Sequence, residues 1–86
     1  MTHYDVIKNW LEKKADIFEI SSAEVENSLS TFSTWPGQMK MTAGTAGRRF
    51  RDVKSRPEKA DYVGVESIEE IRKEGRMSIW LVKKKR

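Results

Sequence analysis

The chain has 86 residues, no cysteine and a formal net charge of +4. That length predicts one domain, 1–86, close to the smallest size at which a single core suffices. The lack of cysteine excludes disulfides and thiolate metal sites and points to a reducing, cytoplasmic setting. No apolar run reaches the roughly 18–20 residues of a membrane span, and the N-terminus carries no signal-peptide pattern. A soluble protein with no membrane partner is expected.

Charge is unevenly distributed. Residues 1–37 hold three lysines against six Asp/Glu, a balance of −3, while residues 38–86 hold fourteen Lys/Arg against seven Asp/Glu, a balance of +7. An acidic half joined to a strongly basic half is expected of a protein that meets a polyanion on one face.

The first element is helical. Thr2 can cap it with Asp5 as the acidic partner three residues on, and Val6, Ile7, Trp10 and Leu11 form an apolar stripe, so a helix from Tyr4 to Lys14 is predicted. Ile17, Phe18 and Ile20 make a patch too short for a helix, which reads as a brief strand. Ser21 and Glu24 then match a capping box, and Val25, Leu29 and Phe32 repeat at i, i+4, i+7, which predicts a second helix ending near Phe32. Ser33-Thr34-Trp35-Pro36-Gly37 is turn chemistry. Trp35 either folds back onto the core or stands out as a contact residue.

The third helix, 42–55, carries the basic character. Thr42 is an N-cap, and Ala43, Ala46, Phe50 and Val53 fall within roughly 80° of one another at ~100° per residue. Facing away from that stripe are Gly44, Thr45, Arg48, Arg51 and Asp52, with Arg49 and Lys54 on the flanks. Pro57 marks the helix end or lies just beyond it. Tyr62-Val63-Gly64-Val65 has strand composition, and Met77-Ser78-Ile79-Trp80-Leu81-Val82 is the clearest strand in the chain. Ser67 to Gly75 also reads as a capped helix. A hairpin pairing 62–72 with 77–83 around Glu74-Gly75 is preferred, because the last strand needs a neighbour. Lys83–Arg86 reads as a flexible basic C-terminal tail.

Two stretches, "MTAGTAGRRFRDVKSR" (41–56) and "YVGVESIEEIRKEGRMSIWLVKK" (62–84), carry a family likeness. In this element order the chain resembles the winged helix-turn-helix family, in particular small bacterial and phage DNA-binding domains. The resemblance implies an α+β fold of three helices with a C-terminal β-hairpin wing. It also implies a double-stranded DNA partner, in transcription regulation or as an accessory factor in replication or recombination. Helix 42–55 would enter the major groove, with Thr45, Arg48 and Arg51 at base edges. Thr42 and Gly44 would stand at its start, where bare backbone allows close approach. Lys40, Arg49, Lys54 and Arg56 would hold phosphates, and Arg72, Lys73 and Arg76 would meet the backbone from the wing tip near 72–76. One departure from the pattern is plain: Ser33 to Met41 separates helices two and three, where a turn of three to four residues is usual.

No enzyme is expected. There is no paired carboxylate with a supporting base, no Ser/His/Asp set and no phosphate-cradling G-x-x-x-x-G-K-[ST]. "TAGTAG" follows no strand, His3 sits alone near the N-terminus, and Glu66, Glu69 and Glu70 read as solvated strand residues, so neither metal nor cofactor is implied. The second functional reading is a protein-interaction module that recruits or inhibits a partner through the acidic half, with Glu12 and Glu19 exposed on it.

Overall fold

A computed structural model describes residues 1–85. Among them the order is α1 (His3–Glu12), β1 (Ile17–Ser21), α2 (Ser22–Phe32), α3 (Ala43–Ser55), α4 (Pro57–Val63), β2 (Val65–Glu74) and β3 (Met77–Lys84). The three strands form one antiparallel sheet in the order β1-β3-β2. The architecture is α+β, with four helices among the described residues where three were expected.

Helix starts follow the capping chemistry of the sequence. The Thr2 hydroxyl accepts the Asp5 N–H while the Asp5 carboxylate accepts the Thr2 N–H at 2.7 Å, a reciprocal box. Ser21 accepts the Glu24 N–H at 3.1 Å, and Thr42 accepts the Thr45 N–H at 3.2 Å. α1 stops at Glu12, short of the expected Lys14. The N–H groups of Lys13 and Lys14 reach back three residues, to the Trp10 and Leu11 carbonyls, which tightens the last turn into a 3₁₀ form.

The extra helix replaces the start of the expected hairpin. Pro57 occupies its first turn, and Gly64 ends it at φ 81°, the left-handed conformation that lets the chain turn sharply into β2. Tyr62 and Val63 are therefore helical, and β2 begins only at Val65. Residues 67–74 are strand and not helix, because β3 supplies the ladder they need. Gly75 makes the two-residue turn at φ 64°. Register shifts at Glu66 and Ile71 mark two bulges in β2, and beyond Ile68 every residue of that strand is exposed, so the hairpin projects past the core.

Phe50 of α3 is fully buried and joins the layers. Its ring stacks on Trp80 of β3 at 5.2 Å between centroids and meets Trp10 of α1 edge-on at 6.2 Å; Trp10 in turn meets Phe18 of β1 at 6.4 Å. Such pairs add about 0.5–1.5 kcal/mol each beyond the area they bury. The Trp10 Nε1–H donates to Ser28 Oγ at 3.0 Å, so the indole is satisfied inside the core.

The basic tail expected at 83–86 is not a separate segment. Lys83 and Lys84 are the last residues of β3, where Lys83 pairs with Ile17 of β1. The Lys84 N–H donates to the Asp16 carbonyl at 2.8 Å and its Nζ to the Lys14 carbonyl at 3.0 Å. Lys85 forms an ion pair with Asp61. Backbone pairing holds this stretch; Arg86 lies outside the described residues.

Ser33 is the one buried polar side chain among the described residues, 1% exposed. Its hydroxyl donates to the Ser30 carbonyl at 2.6 Å and accepts the Met41 N–H at 2.8 Å, closing the connection between α2 and α3 at its base. Ser33→Ala leaves the buried Met41 N–H without a partner, and we expect a loss of about 1–3 kcal/mol. Urea denaturation of the two proteins measures it, and equal midpoints would show that the clasp contributes nothing.

Candidate nucleic-acid interface

α3 buries a narrow stripe and turns its cations outward. Ala46, Gly47, Phe50 and Val53 are buried, whereas Gly44, Arg48, Arg51 and Lys54 are exposed. Ala43, expected on the buried stripe, is exposed at the first position of the helix, while Gly47, one turn on along the same face, is buried. A Cβ on Gly47 would stand 2.9 Å from the Glu26 Oε1 and 3.0 Å from its Cγ, so a side chain here would make the flexible Glu26 of α2 shift. Gly44 differs, since a Cβ there would meet nothing within 4 Å. The two glycines of "TAGTAG" thus have separate causes. Thr42 and Thr45 are joined to each other at the helix start, the Thr42 hydroxyl donating to Thr45 Oγ1 at 3.1 Å.

The expected contact residues fall into two groups. Arg48, Arg51, Lys54 and Arg56 are exposed and make no ion pair among the described residues. Lys40, Lys73 and Arg76 are exposed and unpaired in the same sense. Arg49 and Arg72 are engaged inside the protein. Arg49 is half-buried and donates to Asp52 at 3.1 Å, while the Tyr4 hydroxyl donates to the same carboxylate oxygen at 2.9 Å. Asp52 thereby ties α3 to α1 through Tyr4, and Arg49 is drawn onto that carboxylate along its own helix.

Arg72 bonds Glu19 and Glu74, each at 3.0 Å. The register sets Arg72 opposite Ile79 and Glu19 opposite Leu81, so the Arg72–Glu19 pair spans the central strand from β2 to β1. β2 also presents Glu66, Glu69 and Glu70 to solvent. The cationic part of the hairpin is accordingly its tip, Lys73 and Arg76. The Arg49–Asp52 pair has an i, i+3 spacing that the sequence offered on a helix, whereas Glu19 comes within range of Arg72 only through the pairing of the sheet.

The chain matches no protein-family model, and no curated protein or solved structure is detectably similar to it. No helix among the described residues is long and apolar enough to cross a membrane.

Two Tyr–Asp bonds hold α1, Tyr4–Asp52 to the basic helix α3 and Tyr62–Asp5 to α4, and they carry a pH dependence. Burial pushes the Asp52 carboxyl up, but the Tyr4 hydroxyl, Arg49 and the nearby Arg56 charge together hold it below the ordinary carboxylate range. Asp5 is also held low, first by the Tyr62 hydroxyl and then by the Thr2 N–H. Tyr4 is raised by burial and by Asp52; Tyr62 is raised by its bond to Asp5. Folded carboxylates with lowered pKa stabilise the fold fully above the unfolded value of about 3.9, and that stabilisation is lost as pH falls through the folded values. On the alkaline side the raised tyrosines stabilise below about pH 10 and lose the effect as pH rises through their folded values. Tyr4→Phe should raise the Asp52 pKa toward the ordinary range and flatten the acid limb of the stability curve. Carboxyl NMR titration with denaturation from about pH 2 to 6 reads both, and an unmoved Asp52 would contradict the coupling.

Proposed function

We propose that this protein is a winged helix-turn-helix domain that binds double-stranded DNA, with α3 in the major groove and the β2–β3 hairpin as the wing. The exposed ridge Arg48–Arg51–Lys54, unopposed by carboxylates of its own molecule, carries this reading. The element order and the strand order β1-β3-β2 support it, with α4 an added turn between the third helix and the wing. An α-helix fits the major groove of B-DNA, and guanidinium groups near its start can pair with guanine edges. Gly44 supports close approach, because the space above it is open.

The roles follow from the geometry. Arg48 and Arg51 lie one turn apart on the outward face and read bases or phosphates, with Thr45 beside them. Lys40, Lys54 and Arg56 neutralise phosphates along the flank, and Lys73 with Arg76 do so from the hairpin tip. Arg49 and Arg72 hold the scaffold. In this reading the domain is a binding protein without catalysis, in a cytoplasmic setting, serving transcription regulation or assisting replication or recombination. The alternative is a protein-interaction module using the acidic half. The exposure of Glu12 favours it, whereas Glu19 is already engaged by Arg72.

Arg48→Glu combined with Arg51→Glu should weaken duplex binding by about a hundredfold or more at low salt, and leave a captured protein partner untouched. With about five phosphates neutralised, log K should fall with log salt at a slope near −4 to −5. Fluorescence anisotropy of a labelled duplex measures both, and an absence of duplex binding at about 50 mM salt removes the proposal.

Gly44→Ala separates stability from binding. It should raise fold stability by up to about 1 kcal/mol, and Gly44→Leu should cost duplex affinity by blocking approach of the backbone. Thermal melts and anisotropy read the two effects, and undiminished affinity in Gly44→Leu would remove the close-approach role.

A further inference from the structure

A surface that α3 does not use lies between the end of α1 and α2. An open groove of about 490 Å³ runs along α2 over Trp10, Ser28, Thr31 and Phe32. It ends at Trp35, which is 50% exposed and rests on Phe32 at 5.1 Å. A second hollow of about 410 Å³, lined by Asn9, Glu12 and Gln38, shares Trp35, Phe32 and Lys13 with the first. A large indole standing between two concave spaces is a knob beside its own holes.

The charges around the groove are of both signs and are set apart. Lys13 and Lys14 form the α1 rim, their ammoniums 5.4 Å and 5.0 Å from the ring centroids of Trp35 and Trp10. Glu24, in the first turn of α2, lies at the far end from Trp35. None of the three makes an ion pair among the described residues. A polyanion would meet Glu24 and Glu12, and a uniformly acidic or basic partner would suit one rim and be repelled by the other. A copy of the same surface turned by a two-fold axis through the groove satisfies both. Such an axis can set Glu24 opposite Lys13 of the second copy, with each Trp35 toward the other's open end.

We propose that this groove is the isologous interface of a homodimer, with Trp35 as its anchor. Closed two-fold contacts need a self-complementary patch, and tryptophan is the residue most enriched among those whose truncation costs binding. The inference stands independently of DNA binding, though a two-fold dimer would present two α3 ridges and favour a pseudo-palindromic site.

Sedimentation equilibrium of the intact protein tests it. The wild type should pass from monomer to a species of twice that mass between about 1 µM and 1 mM. Trp35→Ala should weaken association by about tenfold or more, with its thermal melt confirming a folded chain. Lys13→Glu with Lys14→Glu should give a monomer, and adding Glu24→Lys should restore the dimer. A wild type that remains monomeric throughout overturns the proposal. So does a dimer indifferent to Trp35→Ala, or a charge reversal that the compensating change fails to rescue.

Discussion

The outward bearing of α3 depends on where the Phe50 ring is held. It lies between Trp80 below and Trp10 at its edge, so one side chain of α3 is gripped by both the sheet and α1. Ala46 and Gly47 are too small to set the rotation of the helix by themselves. With a narrow apolar stripe and a single ring in a close-fitting slot, the remaining faces of α3 have nowhere to go but outward. Arg48, Arg51 and Lys54 are exposed because of what Phe50 does, and not because solvent selects for them locally.

The protein also distinguishes cations that hold its own structure from cations left available. Arg49 completes a three-residue set with Asp52 and Tyr4 between α3 and α1, and Arg72 lies across the sheet to reach Glu19. Ion pairs this exposed contribute little stability on average. Their larger effect is to fix direction: the hairpin's remaining positive charge is confined to its tip, and the α3 ridge is cleared of neighbouring acid. The +7 balance of the C-terminal half is thereby focused on fewer groups than the sequence count suggests.

Much of the frame was legible in the chain because local chemistry agreed with packing. Thr2 and Ser21 cap the helices that their spacing to Asp5 and Glu24 implied, Thr42 caps α3 as its residue type suggested, and Phe32 ends α2 where the turn residues begin. The strand at 77–82 is where its β-branched and aromatic residues place it. α4 has a signal in the sequence, Pro57 at its start and Gly64 at its end, but Tyr62-Val63-Gly64-Val65 has strand composition, which points to a strand instead. Strand preference is a statement about half-buried pleated surface, and Val63 found its burial against the helices instead. Trp35 was open between two fates and is half-exposed, since Phe32 covers only one side of it. The Lys83–Lys84 segment reads as a tail by charge alone; the hairpin places Lys83 opposite Ser67 and Lys84 opposite Val65, but the partners on β1 lie more than sixty residues away in sequence, and no local pattern encodes those.

The Ser33–Met41 clasp has a further implication for how such a domain can diversify. Because the two ends of the connection are pinned to each other through one hydroxyl, the angle between α2 and α3 does not depend on what lies between them. Apart from Trp35, Gln38 and Lys40, residues 34–40 can lengthen, shorten or change character while the basic helix keeps its bearing. That makes the segment a natural insertion point, where new chemistry can be grafted without disturbing the helix that follows.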